Sequence, residues 1–289
     1  MEIISNLDYL KRKVIENLGE AVKDPNRKFI AIPQRASGSA SGLPFEQWTK
    51  EVLNERGLKV FLQEEFVKEL VNAMKNKRIV LDEITKTIRE RTWYGLRDYV
   101  ISREQLKSAL EGKEVPTYQQ SMADLVLFYG KDLIEDINDV ILINVKSHDI
   151  EKVSRPPNII SAKRVLEFIR DVLIYCPNLL DKINLWFLGI YYRRRGRNAE
   201  IIEVYAKDFF KLDVTRIPII NFDAAIQIQW HVKDMVEIPD INRAKFIENL
   251  AKEYLKRWER FAKRRSENVR QLVNELINLI GKNEKKSIS

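Results

Sequence analysis

An aspartate, an asparagine and a lysine fall where two short apolar runs can bring them together. Ala123–Tyr129 (ADLVLFY) and Val140–Lys146 (VILINVK) are β-rich, and the polar stretch Gly130–Asn138 between them cannot sit in a core. They read as a hairpin. With its loop centred on Ile134, Asp124 and Asn144 each lie ten residues from the centre and face each other across the strands, where partner Cβ atoms are roughly 4.5–5.5 Å apart. Lys146 points to the same side as Asn144, because strand side chains alternate with period two. Hydrolysis of a phosphodiester needs such a group: oxygen ligands that hold Mg²⁺ against the phosphate, and a cation that orients a water or offsets developing charge. An Asp and a Lys opposed on neighbouring strands also read as a surface ion pair worth about 0–1 kcal/mol. Spacing alone leaves both readings open.

The surrounding chain predicts an α/β architecture to hold that hairpin. Leu7, Leu10, Val14, Ile15, Leu18 and Val22 recur at three- and four-residue steps and form one face of an opening helix. Gln34–Gly42 (QRASGSASG) reads as a loop, and Pro44 starts a helix whose buried stripe is Phe45, Trp48, Val52 and Leu53. A strand at 58–62 and helices near 63–76, 81–91 and 103–111 follow, the last capped by Ser102. After the hairpin, a helix is expected from about Ile159 to Tyr175, strands at 185–192 and 201–205 around the basic turn Arg193–Arg197, and a further helix over Asn221–Val232. From Asp240 onward, charged residues alternate with apolar ones at helical spacing, which predicts one or two surface helices. No repeat or low-complexity linker divides the chain, so a single domain over 1–289 is expected, with a core of about 30–235 and a helical extension of about 240–283.

Composition bounds the function. Of 289 residues 45% are apolar, which excludes a disordered tail protein, and one cysteine excludes a disulfide scaffold and a Cys-based zinc site. No run of about 18 apolar residues is present and the first residues show no signal-peptide block, so a soluble, cytoplasmic chain without a membrane role is expected. A formal charge of +8 and a pI near 9.3 suit a polyanionic partner without naming one. His148 and His231 lack the spacing of a metal pair and read as structural, and Cys176 reads as a small buried hydrophobe.

Ala123-Asp124 followed by Asn144-Val145-Lys146 resembles the PD-(D/E)xK nuclease motif. Three longer segments resemble one branch of it, the HincII/HindII family of type II restriction endonucleases: Ser41–Glu46 (SGLPFE), Pro157–Ala162 (PNIISA), and Ile220-Asn221 with Ala224–Asp234 (AAIQIQWHVKD). The resemblance runs from about Ser41 to Asp234. It implies a mixed central β-sheet flanked by helices, with C-terminal helices. It also implies a homodimer that cuts palindromic duplex DNA of GTYRAC or GTNNAC type at its centre with Mg²⁺, leaving blunt ends, and a cognate methyltransferase that protects the same site. On this resemblance Asp124 is the metal carboxylate, the Val145 carbonyl a second ligand, and Lys146 the residue that positions or activates the attacking water.

Asn144 departs from the pattern, which carries Asp at that position; an amide gives a hard cation one neutral oxygen. A working amide variant, a site that recruits Glu46, and a site disabled by a native or introduced Asn are the alternatives, with Glu46 reading on local grounds as an ordinary first-turn acid. The resemblance places Gln119 near the minor groove and Asn158, Asn221 and the small Ala224 and Ala225 at the DNA; locally Asn158 reads equally as a helix cap. Arg155 stands where the family carries a glutamine that wedges against flanking bases, and an arginine there can stack or bind phosphate. The rival readings are a structure-specific PD-(D/E)xK nuclease, a catalytically impaired DNA-binding protein, and a basic structural protein whose Asp124 and Lys146 merely pair.

Overall fold

The computed structural model describes residues 2–33, 42–152, 156–223 and 225–287. Arg155, Ala224 and the Gln34–Ser41 part of the expected loop lie outside the described residues. The opening helix α1 (Glu2–Lys23) buries Leu10, Val14 and Leu18 along one stripe. Strand β1 (Phe29–Ala31) precedes α2 (Leu43–Glu55), which carries Pro44 in its first turn and buries Phe45, Trp48, Val52 and Leu53. Next come β2 (Lys59–Leu62), α3 (Gln63–Asn76), α4 (Leu81–Arg91) and α5 (Arg103–Leu110). Ser102 caps α5, its hydroxyl accepting from the Gln105 N–H at 3.1 Å while the Gln105 side chain accepts from the Ser102 N–H at 3.0 Å.

The hairpin forms as β3 (Leu125–Phe128) and β4 (Val140–Asp149), antiparallel, with Leu125 opposite Ile143 and Phe128 opposite Val140. That register is the one expected from the Ile134 centre. Beyond it lie β5 (Asn158–Ser161), α6 (Ala162–Tyr175), β6 (Leu185–Arg195), β7 (Asn198–Asp208), β8 (Ile219–Asn221), β9 (Gln227–Gln229) and the single long helix α7 (Arg243–Ser287). A six-stranded mixed sheet has the order β1-β7-β6-β4-β3-β2, in which β4 and β6 run parallel and the other pairs antiparallel. Helices flank it, as the expected fold requires. A smaller sheet has the order β5-β9-β8.

Two expected helices are corrected. The segment from Ile159 begins as strand β5, and α6 starts only at Ala162, where the Ser161 hydroxyl accepts from the Arg164 N–H at 3.3 Å. Asn158 is therefore a strand residue and not a helix cap. Asn221–Val232 is not a helix either: it leaves β8, turns and returns as β9. In the order Ile226-Gln227-Ile228-Gln229-Trp230 the apolar residues recur every second position, and Ile228 and Trp230 are buried, which is strand periodicity.

Apolar layers cover both faces of the large sheet. Val126, Phe128, Val140 and Leu142 face one cluster, and Leu125, Leu127, Ile141, Ile143 and Val145 face the other. Burying such a side chain on folding contributes about 1.5–3 kcal/mol, so the strands are fixed by their interiors and their ends are free to carry polar groups. Among the described residues no helix is long and apolar enough to cross a membrane.

Candidate active site

At the end of the hairpin the core gives way to a cavity of about 870 Å³, lined by Asp124, Asn144, Val145 and Lys146 among others. Strand alternation explains the change: Asn144 and Lys146 continue the face of Val140 and Leu142, past the point where packed side chains end. Asp124 is held by its backbone on both sides, its N–H donating to the Ile143 carbonyl at 2.9 Å and its carbonyl accepting from the Gln63 N–H at 3.2 Å. Its carboxylate accepts from the Val145 N–H at 2.7 Å. Asn144 is 5% exposed; its amide donates to the Met122 carbonyl at 3.2 Å, which leaves its buried Oδ1 without a partner. A buried acceptor left unsatisfied is costly, and one beside a polar cavity is set up for an electron-pair acceptor.

Glu46, in the first turn of α2, lines the same cavity. Its carboxyl is pushed up to about 8, first by burial and next by the neighbouring Asp124 charge, with Lys146 pulling the other way. Burial also raises Asp124, against the Lys146 charge and the Val145 hydrogen bond. Two carboxyls and one lysine thus share one field. The structure corrects the local reading of Glu46 as an ordinary first-turn acid: the folding of α2 against β4 brings it to Asp124 and Lys146, which no spacing in the sequence shows.

The opposite wall of the cavity is the small sheet. Asn158, Ser161, Ala225 and Gln227 line it, with Gln119 and Gln120 on the approach to Asp124. Asn158 faces Gln229 across β5 and β9, and the Gln229 amide donates to the Asn158 oxygen at 2.9 Å. Between β8 and β9 the chain makes a strained turn, with Ala225 at φ 49° and Ile226 at φ 53°, a left-handed conformation that β-branched residues rarely adopt. Several contacts hold the turn. The Ala162 N–H donates to the Ile226 carbonyl at 2.9 Å, the Ser161 hydroxyl donates to the Ala225 carbonyl at 3.0 Å, and Asp223 pairs with Arg265 of α7. Phe222 packs against Tyr254, Trp258 and Phe261 of the same helix. Strain that the surroundings over-determine is characteristic of functional sites.

Of the expected site residues, the cavity gathers Gln119, Asp124, Asn144, Val145, Lys146 and Asn158. Asn221 is not among its lining residues; its oxygen accepts from the Asp223 N–H at 3.1 Å, starting the turn. Arg155 and Ala224 lie outside the described residues. Arg164 was missed. It lines the cavity and is fixed by the Tyr118 hydroxyl at 3.0 Å and by the Asp98 carbonyl, partners so distant in sequence that no local pattern points to it. His148 and His231 come together with ring centroids 4.5 Å apart, and burial holds both below the ordinary histidine value.

Among the described residues no group of three or more His, Cys, Asp or Glu is placed to hold a metal ion. A cation here would rely on a mixed oxygen set, and the residues fit one: carboxylates from Asp124 and Glu46, the partnerless Oδ1 of Asn144 and the Val145 carbonyl are hard donors of the kind Mg²⁺ prefers.

Comparison with known proteins identifies the family. The model of the family "Restriction endonuclease HincII" matches residues 18–280. The chain is 27% identical over 260 residues to the type II restriction enzyme HincII of Haemophilus influenzae, covering 86% of this chain and 88% of that protein. It matches the type II restriction enzyme HindII of the Rd strain of that organism to the same extent. With nearly its whole length matched and its nuclease-like hairpin in register, the chain belongs to the HincII family of type II restriction endonucleases, which are site-specific deoxyribonucleases.

Proposed function

We propose that this chain is a Mg²⁺-dependent homodimeric endonuclease of one domain per subunit that cuts palindromic duplex DNA of GTYRAC or GTNNAC type at its centre, leaving blunt ends. It would act in the cytoplasm beside a methyltransferase of the same specificity. The observation that carries this reading is the meeting, in one cavity, of Asp124, the partnerless oxygen of Asn144, Lys146 and Glu46 with the polar wall of the small sheet.

Asp124, Asn144 and the Val145 carbonyl are the groups that would hold the metal. When bound, Mg²⁺ supplies Lewis-acid stabilisation of charge at the scissile phosphate and acidifies a water. Glu46 contributes the second carboxylate that Asn144 lacks, which favours a working amide variant over a disabled one. Lys146 orients the attacking water and offsets negative charge as it develops. Asn158 reads base edges from the facing wall, Asn being suited to bidentate contact with adenine in the major groove, and Gln119, on the approach to Asp124, lies near the minor groove. Asn221 shapes the recognition turn, Ala224 leaves room for close approach of backbone to the duplex, and Arg155 contacts DNA beside the site.

Digestion of long unmethylated DNA with Mg²⁺, followed by sequencing of the ends, tests the reading. Discrete blunt fragments ending at GT…AC centres are expected. Fragments without a common sequence would favour a structure-specific nuclease, and intact DNA that still shifts in a gel with sequence preference would mean that Asn144 has cost the catalysis.

A further inference from the structure

The long helix α7 forms one side of a second groove, which the cavity chemistry leaves unused. Between residues 251 and 270 the helix has eight basic residues against three acidic ones, a net +5 within a chain whose total is +8. Part of this charge is committed. Arg257 pairs with Glu253 at 2.6 Å and donates to the Ile217 and Pro218 carbonyls, and Arg265 pairs with Asp223. Arg260 and Arg264, one helical turn apart, are exposed and have no ion pair or hydrogen bond among the described residues. Both line a groove of about 370 Å³ whose other side is Ile219 and Phe222, with Phe261 between.

Like charges at i and i+4 are unfavourable on a free helix, and an anion lying between them removes that repulsion. Beside the two guanidiniums the groove is apolar and aromatic, suited to a sugar face with its phosphate on the arginines. β8 forms a side of this groove and then runs into the turn whose Ala225 lines the large cavity, so one strand serves both. A second copy of α7 would bring the same excess of positive charge and be repelled. We propose that Arg260 and Arg264 hold the sugar–phosphate backbone of duplex DNA outside the palindrome, so that the binding footprint extends beyond the sequence that is read.

The inference rests on the nuclease reading, and one experiment separates the two. The full chain and the Arg260→Ala/Arg264→Ala variant are titrated with a 12-bp and a 24-bp duplex sharing the same central palindrome, with Ca²⁺ replacing Mg²⁺, over a range of salt concentrations. The variant is expected to bind the 24-bp duplex about tenfold more weakly, with the slope of log affinity against log salt reduced by about 2, since each phosphate contact contributes roughly 0.9 to that slope. The penalty is expected on the long duplex and not on the short one, and Arg260→Lys/Arg264→Lys should keep most of the slope. Equal affinities and slopes for wild type and variant on the long duplex would overturn the inference. So would a change in sedimentation of the DNA-free variant, which would make the groove an interface between copies. A wild-type protein that binds neither duplex would instead overturn the nuclease reading.

Discussion

Two regions face the same cavity on different terms. The hairpin of β3 and β4 presents Asp124, Asn144 and Lys146 from strands buried between apolar layers and paired on both sides. The small sheet presents Asn158, Ala225 and Gln227 from strands of three or four residues joined by a left-handed turn. The first region is rigid because its interior fixes it; the second is held in place from outside, by Ser161, Ala162 and α7. On the proposed function, chemistry that tolerates little displacement sits on the first, and contacts that must follow the shape of a duplex sit on the second. Substitutions should therefore act differently in the two.

The largest effect is expected at Lys146. Lys146→Ala removes the cation from the Asp124–Glu46 field without touching a packed residue, and should lower the cleavage rate about 10²–10³-fold, the range seen when one electrostatic stabiliser is deleted. Ca²⁺-supported binding of the palindromic duplex should persist. Cleavage and gel-shift assays on one preparation check this, and a loss of binding with cleavage intact would remove Lys146 from its proposed role.

Next in size is Glu46→Gln, which asks whether the rigid region truly contains a second carboxylate ligand. Calorimetric Ca²⁺ affinity in the presence of duplex should fall roughly 10–100-fold, as it does when a group supporting a metal site is lost, and adding Asn144→Asp should restore much of it. The pH dependence has a definite sign. With the carboxyl raised from 4.5 to about 8 in the folded protein, the metal-free chain loses stability as pH rises across that window, because the unfolded chain ionises Glu46 first. Glu46→Gln should abolish this loss, so the metal-free variant should melt higher than wild type at pH 8 and alike near pH 4.

These two regions were unequally legible in the sequence. The apolar runs of the hairpin, its polar loop and the period-two placement of Asn144 and Lys146 specified register without any tertiary information. Asn221–Val232 was expected to be a helix, yet the alternation of Ile226, Ile228 and Trp230 with glutamines is the period of the strand that forms there. No Gly or Asn-Gly marks the turn, since Ala225 and Ile226 adopt left-handed backbone only because distant residues hold them there. Arg164 was hidden for a related reason, and Glu46 stood in the sequence only as one alternative beside an ordinary first-turn acid: each reaches the cavity through packing between elements far apart in the chain.

A smaller effect is expected where the regions meet. Gly189 is the β6 partner of Lys146, and a Cβ there would lie 2.7 Å from the Val232 Cβ, just beyond β9. Gly189→Ala should cost about 1–3 kcal/mol through overpacking, read by denaturant unfolding. Val232→Gly in the same chain, which removes that Cβ, should recover part of the overpacking cost, a coupling that distant, independent sites do not show. Additive losses would mean that the two regions are joined elsewhere.

The smallest effect tests the strained region alone. Ala225 is exposed at φ 49°, a conformation costing an L-residue roughly 1–2 kcal/mol, so Ala225→Gly removes strain without removing a packed side chain. Part of the gain is lost to the greater freedom of glycine in the unfolded chain, leaving a stabilisation of up to about 1 kcal/mol. The same substitution frees the turn to take other conformations. Thermal stability should thus rise slightly while discrimination between the palindrome and single-base variants falls, as measured by competitive cleavage. A rise in stability with discrimination unchanged would place sequence reading on Asn158 and β9 and leave the turn as scaffold. If both fall together, the left-handed turn is instead the conformation the surrounding contacts require, and glycine merely loosens it.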